Sequence, residues 1–111
     1  MIHVTIYRND KEECVGFLTD GHAGYSEEGH DIVCAAASVL IINTMNAIEL
    51  YAQDTCSLVT NEETGMISYH LTSGHPSKDA ELLLKTMILG LEEMVADENY
   101  AEYIDLTFEE V

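Results

Sequence analysis

The sequence predicts an α+β sandwich, in which two helices pack on a mostly antiparallel sheet in the order β-β-α-β-β-α-β. Short runs of alternating polar and apolar residues occur in pairs joined by turn-forming residues, which is typical of hairpins. Two longer segments repeat apolar residues with a helical period. At 111 residues, 47% of them hydrophobic, and without a linker or low-complexity segment, the chain can bury a single core. We therefore predict one domain spanning residues 1–111.

The first hairpin opens the chain. Residues Ile2 to Tyr7 alternate apolar and polar side chains and predict a strand, and Arg8 to Lys11 form a turn. Cys14 to Leu18 predict the returning partner strand. This hairpin ends at Thr19 and Asp20, so the next loop starts at the edge of the sheet.

The first helix is predicted from Asp31 to about Ala52. Its first half is apolar almost all round, which indicates burial on more than one side, and the alanines at 35–37 allow a neighbour to approach closely. We expect the sheet on one side and the second helix or a partner subunit on another. We also expect the Ser38 hydroxyl to bond a backbone carbonyl of its own helix, with a contact near Cys34, one turn earlier, as the alternative.

A second hairpin, a second helix and a last strand complete the domain. Thr55 to Thr60 and Met66 to Leu71 predict the hairpin. Ser77 is placed to cap a helix from Lys78 to about Asp97, which Gly90 would allow to pack closely. The last strand covers about Tyr103 to Phe108. The apolar stripe of the second helix predicts core residues: Ala80, Leu83, Leu84, Met87, Ile88, Leu91, Met94 and Val95.

The charge of the chain restricts its partners. Four Lys and Arg against 21 Asp and Glu give a formal net charge of −17. Direct binding of nucleic acid is excluded in practice, because phosphate contacts need a basic face. An acidic surface attracts a basic partner, although it can also serve only to keep a small protein soluble.

The cysteines and the apolar segments indicate a cytoplasmic protein. Cys14, Cys34 and Cys56 are too widely spaced for a disulfide framework, which fits a reducing compartment. The N-terminus predicts a strand and has no basic start, so we expect no secretory signal. The longest apolar run, Ile32 to Ile42, is shorter than a bilayer requires, so we expect no membrane association.

A cysteine and two histidines, which together can form a nucleophilic site, lie between the first hairpin and the first turn of the first helix. If Asp31 caps that helix, Cys34 falls in its first turn, where the positive end of the helix dipole favours the thiolate. A thiolate nucleophile needs a base that takes up and returns its proton, and imidazole titrates in the right range. His22 and His30 are both candidates, and we favour His22 because it lies beside the preceding strand. Three glycines would let the segment between them fold over the site or open: Gly21, Gly24 and Gly29.

Metal and redox chemistry are the alternatives for these side chains. His22, His30 and Cys34 are suitable zinc ligands, but they lack the paired spacing of known zinc motifs. His70 and His75 lack a third ligand in sequence. A thiol-redox role for Cys34 would need a resolving cysteine, and none is close in the sequence. We therefore predict no metal and no cofactor.

One segment of the chain also resembles a known family. Gly21-His22-Ala23, followed after a short loop by Asp31-Ile32-Val33-Cys34-Ala35-Ala36-Ala37-Ser38, is similar to the signature of the ribosomal-processing cysteine protease Prp family. The resemblance extends to the length and the order of elements. It implies a His22/Cys34 catalytic pair, a homodimer, and removal of an N-terminal extension from a large-subunit ribosomal protein. Ala37 stands where many members are expected to have a larger apolar residue.

The sequence and the resemblance together predict a cysteine endopeptidase with Cys34 as nucleophile and His22 as general base and acid. Asp31 is a candidate to orient His22, and backbone N–H groups at the helix start, including that of Cys34, are candidates to hold the oxyanion. The substrate would be a basic ribosomal protein precursor. The alternative is a non-enzymatic acidic module for ribosome assembly, in which Cys34 only packs.

Overall fold

The structure, a computed structural model, describes residues 1–21 and 28–111, and only the backbone of residues 28–31. The predicted element order is confirmed: β1 (Ile2–Arg8), β2 (Cys14–Asp20), α1 (Glu28–Tyr51), β3 (Cys56–Asn61), β4 (Met66–Leu71), α2 (Lys78–Ala96) and β5 (Ile104–Glu110). The strands agree with the predicted ranges to within one or two residues, whereas α1 begins three residues before the predicted cap.

The five strands form one mixed sheet in the order β3-β4-β2-β1-β5. The pairs β1–β2, β2–β4 and β3–β4 are antiparallel, as hairpin-rich chains favour. Strand β5 returns after α2 and pairs with β1 in parallel, so that Ile2 lies opposite Ile104. The sheet is therefore mostly antiparallel, with one parallel edge.

Both helices cover the same face of this sheet. Alternation places Val4 and Phe17 on the helix side, where Phe17 stacks on Tyr69 with ring centroids 5.2 Å apart. On the opposite face, the His3 Nδ1 and the Asp105 Oδ2 lie 2.7 Å apart, and both side chains are about half exposed. The domain thus has two layers and a single core between the sheet and the helices.

The predicted start of α2 is confirmed. The Ser77 Oγ accepts a hydrogen bond from the Ala80 N–H at 3.1 Å, and the Asp54 carboxylate accepts from both the backbone N–H and the hydroxyl of Ser77. Gly90 also has the expected role, since a Cβ there would lie 2.7 Å from Cδ2 of Leu40. The absence of a side chain at this position lets the two helices approach each other.

Helix α1 is buried on two sides, as predicted, but its remaining side is exposed. Val33, Ala37, Ile41 and Ile48 enter the core, but the opposite side of the helix is exposed, and Val39 there is 69% accessible. The sheet covers one side and α2 another, and nothing else in the described chain reaches the outer side. The segment of α1 from Ile32 to Tyr51 has the length and composition to cross a bilayer. It is longer than the apolar run from Ile32 to Ile42, on which the sequence-based expectation rested. Core helices of soluble domains share these properties, and α1 supplies part of this core.

Candidate active site

A mostly apolar groove of about 400 Å³ runs beside the first half of α1. The neighbouring ends of the four strands β1 to β4 form its floor and its other wall. It brings together residues far apart in the sequence: Ile2, Thr19, Gly21, Cys34, Ala37, Ser38, Ile41, Ile42, Thr60, Asn61, Glu62, Gly65, Met66 and Ile67. Its volume and lining suit a peptide with apolar side chains.

Cys34 is half-buried and lines this groove. It lies about two turns into α1, because the helix starts at Glu28. The prediction that Asp31 caps the helix is therefore wrong. Glu28 is a good helix former, and a capping residue in the sequence does not exclude a start one turn earlier.

This earlier start changes the electrostatic argument for Cys34. The free N–H groups and most of the dipole effect belong to the first turn of a helix. The N–H of Cys34 lies beyond that turn, within the helical hydrogen-bond ladder, so the helix bounds do not support its predicted role as an oxyanion donor. The structure instead shows that the Cys34 side chain lines a groove, so that a peptide in the groove can reach the thiol.

His22 lies outside the described residues, and so do the side chains of His30 and Asp31. The predicted pairing of His22 with Cys34 therefore stays a prediction. The residue before it is described: Gly21 lines the groove that Cys34 also lines. The chain thus enters the predicted catalytic loop at the groove.

Gly21 cannot be replaced without moving the backbone. Its φ is +104°, a conformation that side chains disfavour, and a Cβ at this position would lie 2.1 Å from the carbonyl oxygen of Met1. We expect Gly21→Ala to lower the free energy of unfolding by more than about 1 kcal/mol and to reduce peptide cleavage at least about tenfold, since it displaces the entry to the loop.

Gly74 offers the matched control for this substitution. Its φ is also positive, at +74°, but a Cβ there would meet nothing within 4 Å. Gly74→Ala should cost a similar conformational strain and leave cleavage unchanged. Equal activities for the two alanine variants, measured on one peptide beside thermal unfolding, would contradict a role for Gly21 at the site.

Ser38 differs from its expectation. Its side chain lines the groove, but among the described residues its hydroxyl has no hydrogen-bond partner. The predicted bond to a carbonyl of its own helix is absent there, whereas the Thr44 hydroxyl makes such a bond to the Leu40 carbonyl at 2.7 Å. The Ser38 hydroxyl thus lies in the groove without a hydrogen-bond partner from residues 1–21 and 28–111.

The other two cysteines do not line the groove. Cys14 is buried among core residues, and burial raises the pKa of its thiol. The Cys56 sulfur accepts a hydrogen bond from the Tyr69 hydroxyl at 2.8 Å. Burial, followed by this hydrogen bond, raises the pKa of the Tyr69 hydroxyl. Both cysteines therefore have packing roles.

The described residues contain no group of three His, Cys, Asp or Glu side chains close enough to hold a metal. The zinc alternative depends on His22 and His30, whose side chains are outside that part of the chain. The groove residues contributed by the strands were not identified from sequence. Alternation on β2 and β4 places Thr19 and Ile67 on the helix side, but only the tertiary packing shows that a groove opens there.

Comparison with protein-family models gives a match to the model described as cysteine protease Prp, over residues 1–105. A protein of Staphylococcus aureus strain Mu50, named ribosomal processing cysteine protease Prp, is 35% identical over 109 residues, which are 97% of this chain and 99% of that protein. A Bacillus subtilis protein of the same name is 29% identical and covers 87% of this chain and 89% of its own length.

Solved structures agree with these relatives. The crystal structure of an essential ribosomal processing protease Prp from S. aureus, in complex with a substrate peptide, matches with a TM-score of 0.88 and 30% identity over 98% of this chain and all of that one. A second S. aureus Prp structure, with a covalently linked product peptide, matches with a TM-score of 0.85, 32% identity and the same coverage. A protein structure from Streptococcus mutans has the same TM-score and identity.

Proposed function

Because the chain belongs to the cysteine protease Prp family, we propose that it is the endopeptidase that removes the N-terminal extension from a large-subunit ribosomal protein of its own cell. The observation that carries this proposal is the position of Cys34 in an apolar groove that can hold an extended peptide. The relatives named for ribosomal processing, and their structures with substrate and product peptides, support it.

The proposed reaction uses Cys34 and His22. His22 accepts the thiol proton, and the Cys34 sulfur attacks the carbonyl carbon of the scissile bond. The carbon–nitrogen bond breaks, the amine of the mature protein leaves with the proton from His22, and the extension stays on Cys34 as a thioester. Water, deprotonated by His22, then attacks the thioester; the extension leaves as a carboxylic acid and the thiol is restored.

The groove gives this reaction its substrate class. Ala37, Ile41 and Ile42 form an apolar wall on α1, and Met66 and Ile67 lie across from them at the start of β4. We propose that apolar side chains of the extension occupy this groove, and that their burial supplies most of the binding free energy.

Charge complementarity should increase the rate of encounter with the full-length substrate. The formal net charge of this chain is −17, and ribosomal proteins are basic. We expect kcat/KM for the full-length precursor to fall about tenfold when NaCl is raised from about 50 mM to about 500 mM, because salt screens the attraction. A short neutral peptide that contains the cleavage site is the control, and its kcat/KM should change little. An unchanged rate for the precursor would show that the acidic surface does not steer it.

We further propose that the protein is a cytoplasmic homodimer joined through the outer side of α1. No residue from Ile32 to Ile48 is charged, although 23% of the chain is Asp, Glu, Lys or Arg. The outer side of this segment is exposed. Two strongly acidic chains can associate where neither brings charge. Ribosomal substrates and three free cysteines fit the cytoplasm.

A single carboxylate should separate the proposed dimer. Val39→Glu places a charge in the centre of the outer side of α1, and we expect the mass in sedimentation velocity to fall from that of two chains to that of one. The matched control is Val59→Glu, because Val59 is 53% exposed on the opposite face of the sheet. A Val39→Glu protein that sediments like the wild type would contradict this interface.

The direct test of the proposed function uses a peptide that spans the junction between the extension and the mature ribosomal protein. We expect hydrolysis of one peptide bond, with two products identified by mass. Binding of the peptide without hydrolysis would favour the acidic ribosome-assembly module instead.

A further inference from the structure

We propose that Thr19 is a specificity-determining residue, whose hydroxyl at the floor of the groove binds a neutral polar side chain of the substrate peptide. This inference rests on the proposed function of the groove. It adds a buried hydrogen-bonding position to a groove that is mostly apolar.

Thr19 is a buried polar residue between two apolar cross-strand neighbours. On β2 its side chain faces the helices, with Val4 directly across on β1 and Ile67 directly across on β4. Only 5% of Thr19 is exposed, and it lines the same groove as Cys34. Its small remaining accessible surface therefore belongs to the groove.

The Thr19 hydroxyl has no hydrogen-bond partner among the described residues. Buried polar groups in proteins nearly always have one, and an unpaired one destabilises the fold. Thr44 on α1 provides the comparison, since it is as deeply buried, at 6% exposure, but donates to the Leu40 carbonyl at 2.7 Å. The described residues therefore provide a hydrogen-bond acceptor for the hydroxyl of Thr44 but none for that of Thr19.

The position of the hydroxyl limits what can pair with it. Because only 5% of Thr19 is exposed, we infer that a side chain inserted into the groove reaches its hydroxyl, whereas the main chain of a peptide that crosses the opening does not. A charged side chain would lose its hydration among these apolar neighbours, whereas the hydroxyl or amide of Ser, Thr, Asn or Gln would lose less. We infer a neutral hydrogen-bonding side chain at one position near the scissile bond.

The test combines one enzyme substitution with a scan of the substrate. In the junction peptide, each polar residue is replaced by an apolar counterpart (Ser→Ala, Thr→Val, Asn→Leu, Gln→Met), and each apolar residue by its polar counterpart. Wild-type enzyme should prefer the polar side chain at one position by about tenfold in kcat/KM. Thr19→Val, which replaces the hydroxyl by a methyl group of similar size, should abolish that preference at that position only.

Thermal unfolding of the free protein gives an independent readout. Removal of an unpaired buried hydroxyl should raise the melting temperature of Thr19→Val by about 3 °C. Thr44→Val removes a hydroxyl that is already paired, so we expect no rise, and this variant should retain the substrate preference of the wild type.

Two results would overturn the proposal. One is a lower melting temperature of Thr19→Val, which would mean that the hydroxyl has a structural partner. The other is a loss of cleavage in Thr19→Val by the same factor for every peptide. Failure of the wild type to cleave any peptide would instead contradict the proposed function. The melting temperatures would then still decide whether the Thr19 hydroxyl is unpaired in the folded protein.

Discussion

Cys34→Ala should abolish cleavage of the junction peptide, with kcat/KM at least about a thousandfold below that of the wild type. The reason is chemical, since alanine removes the atom that forms the thioester. The substitution should leave the fold intact, because Cys34 is only half-buried and alanine is a better helix former. Circular dichroism and thermal unfolding would show this beside the kinetics.

The control for Cys34 is a cysteine outside the groove. Cys56→Ala removes the acceptor of the Tyr69 hydroxyl and should lower the free energy of unfolding by about 1–3 kcal/mol. Its kcat/KM should stay within about twofold of the wild type, because Cys56 takes no part in covalent catalysis. Equal losses of activity in the two variants would show that the cysteines act through stability rather than through chemistry.

His22→Ala is the second large effect. We expect kcat to fall about 10²- to 10⁴-fold, because the thiol loses its base and the leaving amine loses its acid. KM should change less, since the groove that binds the peptide is built by α1 and the strands.

His30→Ala separates the two histidines of the loop. The sequence leaves both as candidates, and our assignment predicts that His30→Ala retains at least about a tenth of the wild-type kcat. If His30→Ala were instead the inactive variant and His22→Ala the active one, the assignment would be reversed, while Cys34 would remain the nucleophile.

The order of elements was predictable because most of its signals are local. Each strand shows alternation, and Ser77 marks the start of α2 in the sequence as in the structure. The start of α1 was not predictable in the same way. Asp31 is a residue type that often caps helices, but here it lies inside the first turn. A capping residue shows only where a helix can start; the neighbouring residues decide whether it starts earlier.

The groove could be predicted only in part. Cys34 follows from its motif, which is continuous in sequence. Thr19, Ile41 and Met66 come from three different elements, and their proximity depends on the strand order and on the path of α1. It was also not predictable that the Ser38 hydroxyl makes no hydrogen bond within the described part of the chain, since a helical serine commonly bonds its own backbone.

The outer side of α1, which carries no charge from Ile32 to Ile48, shows a third limit of prediction from the sequence. The composition correctly indicates an apolar helix, and we expected burial on more than one side. In the single chain α2 and the sheet cover only part of α1, and Val39 remains exposed. The sequence cannot distinguish a helix buried within its own chain from one that is buried only on association.

The measurement that tests the central claim most directly is the intact mass of the extended ribosomal precursor after incubation with the wild type, with Cys34→Ala and with Cys56→Ala. We predict loss of one N-terminal segment with the wild type and with Cys56→Ala, and an intact precursor with Cys34→Ala. Removal of the segment by Cys34→Ala, or an intact precursor that binds all three proteins tightly, would contradict a protease that acts through Cys34.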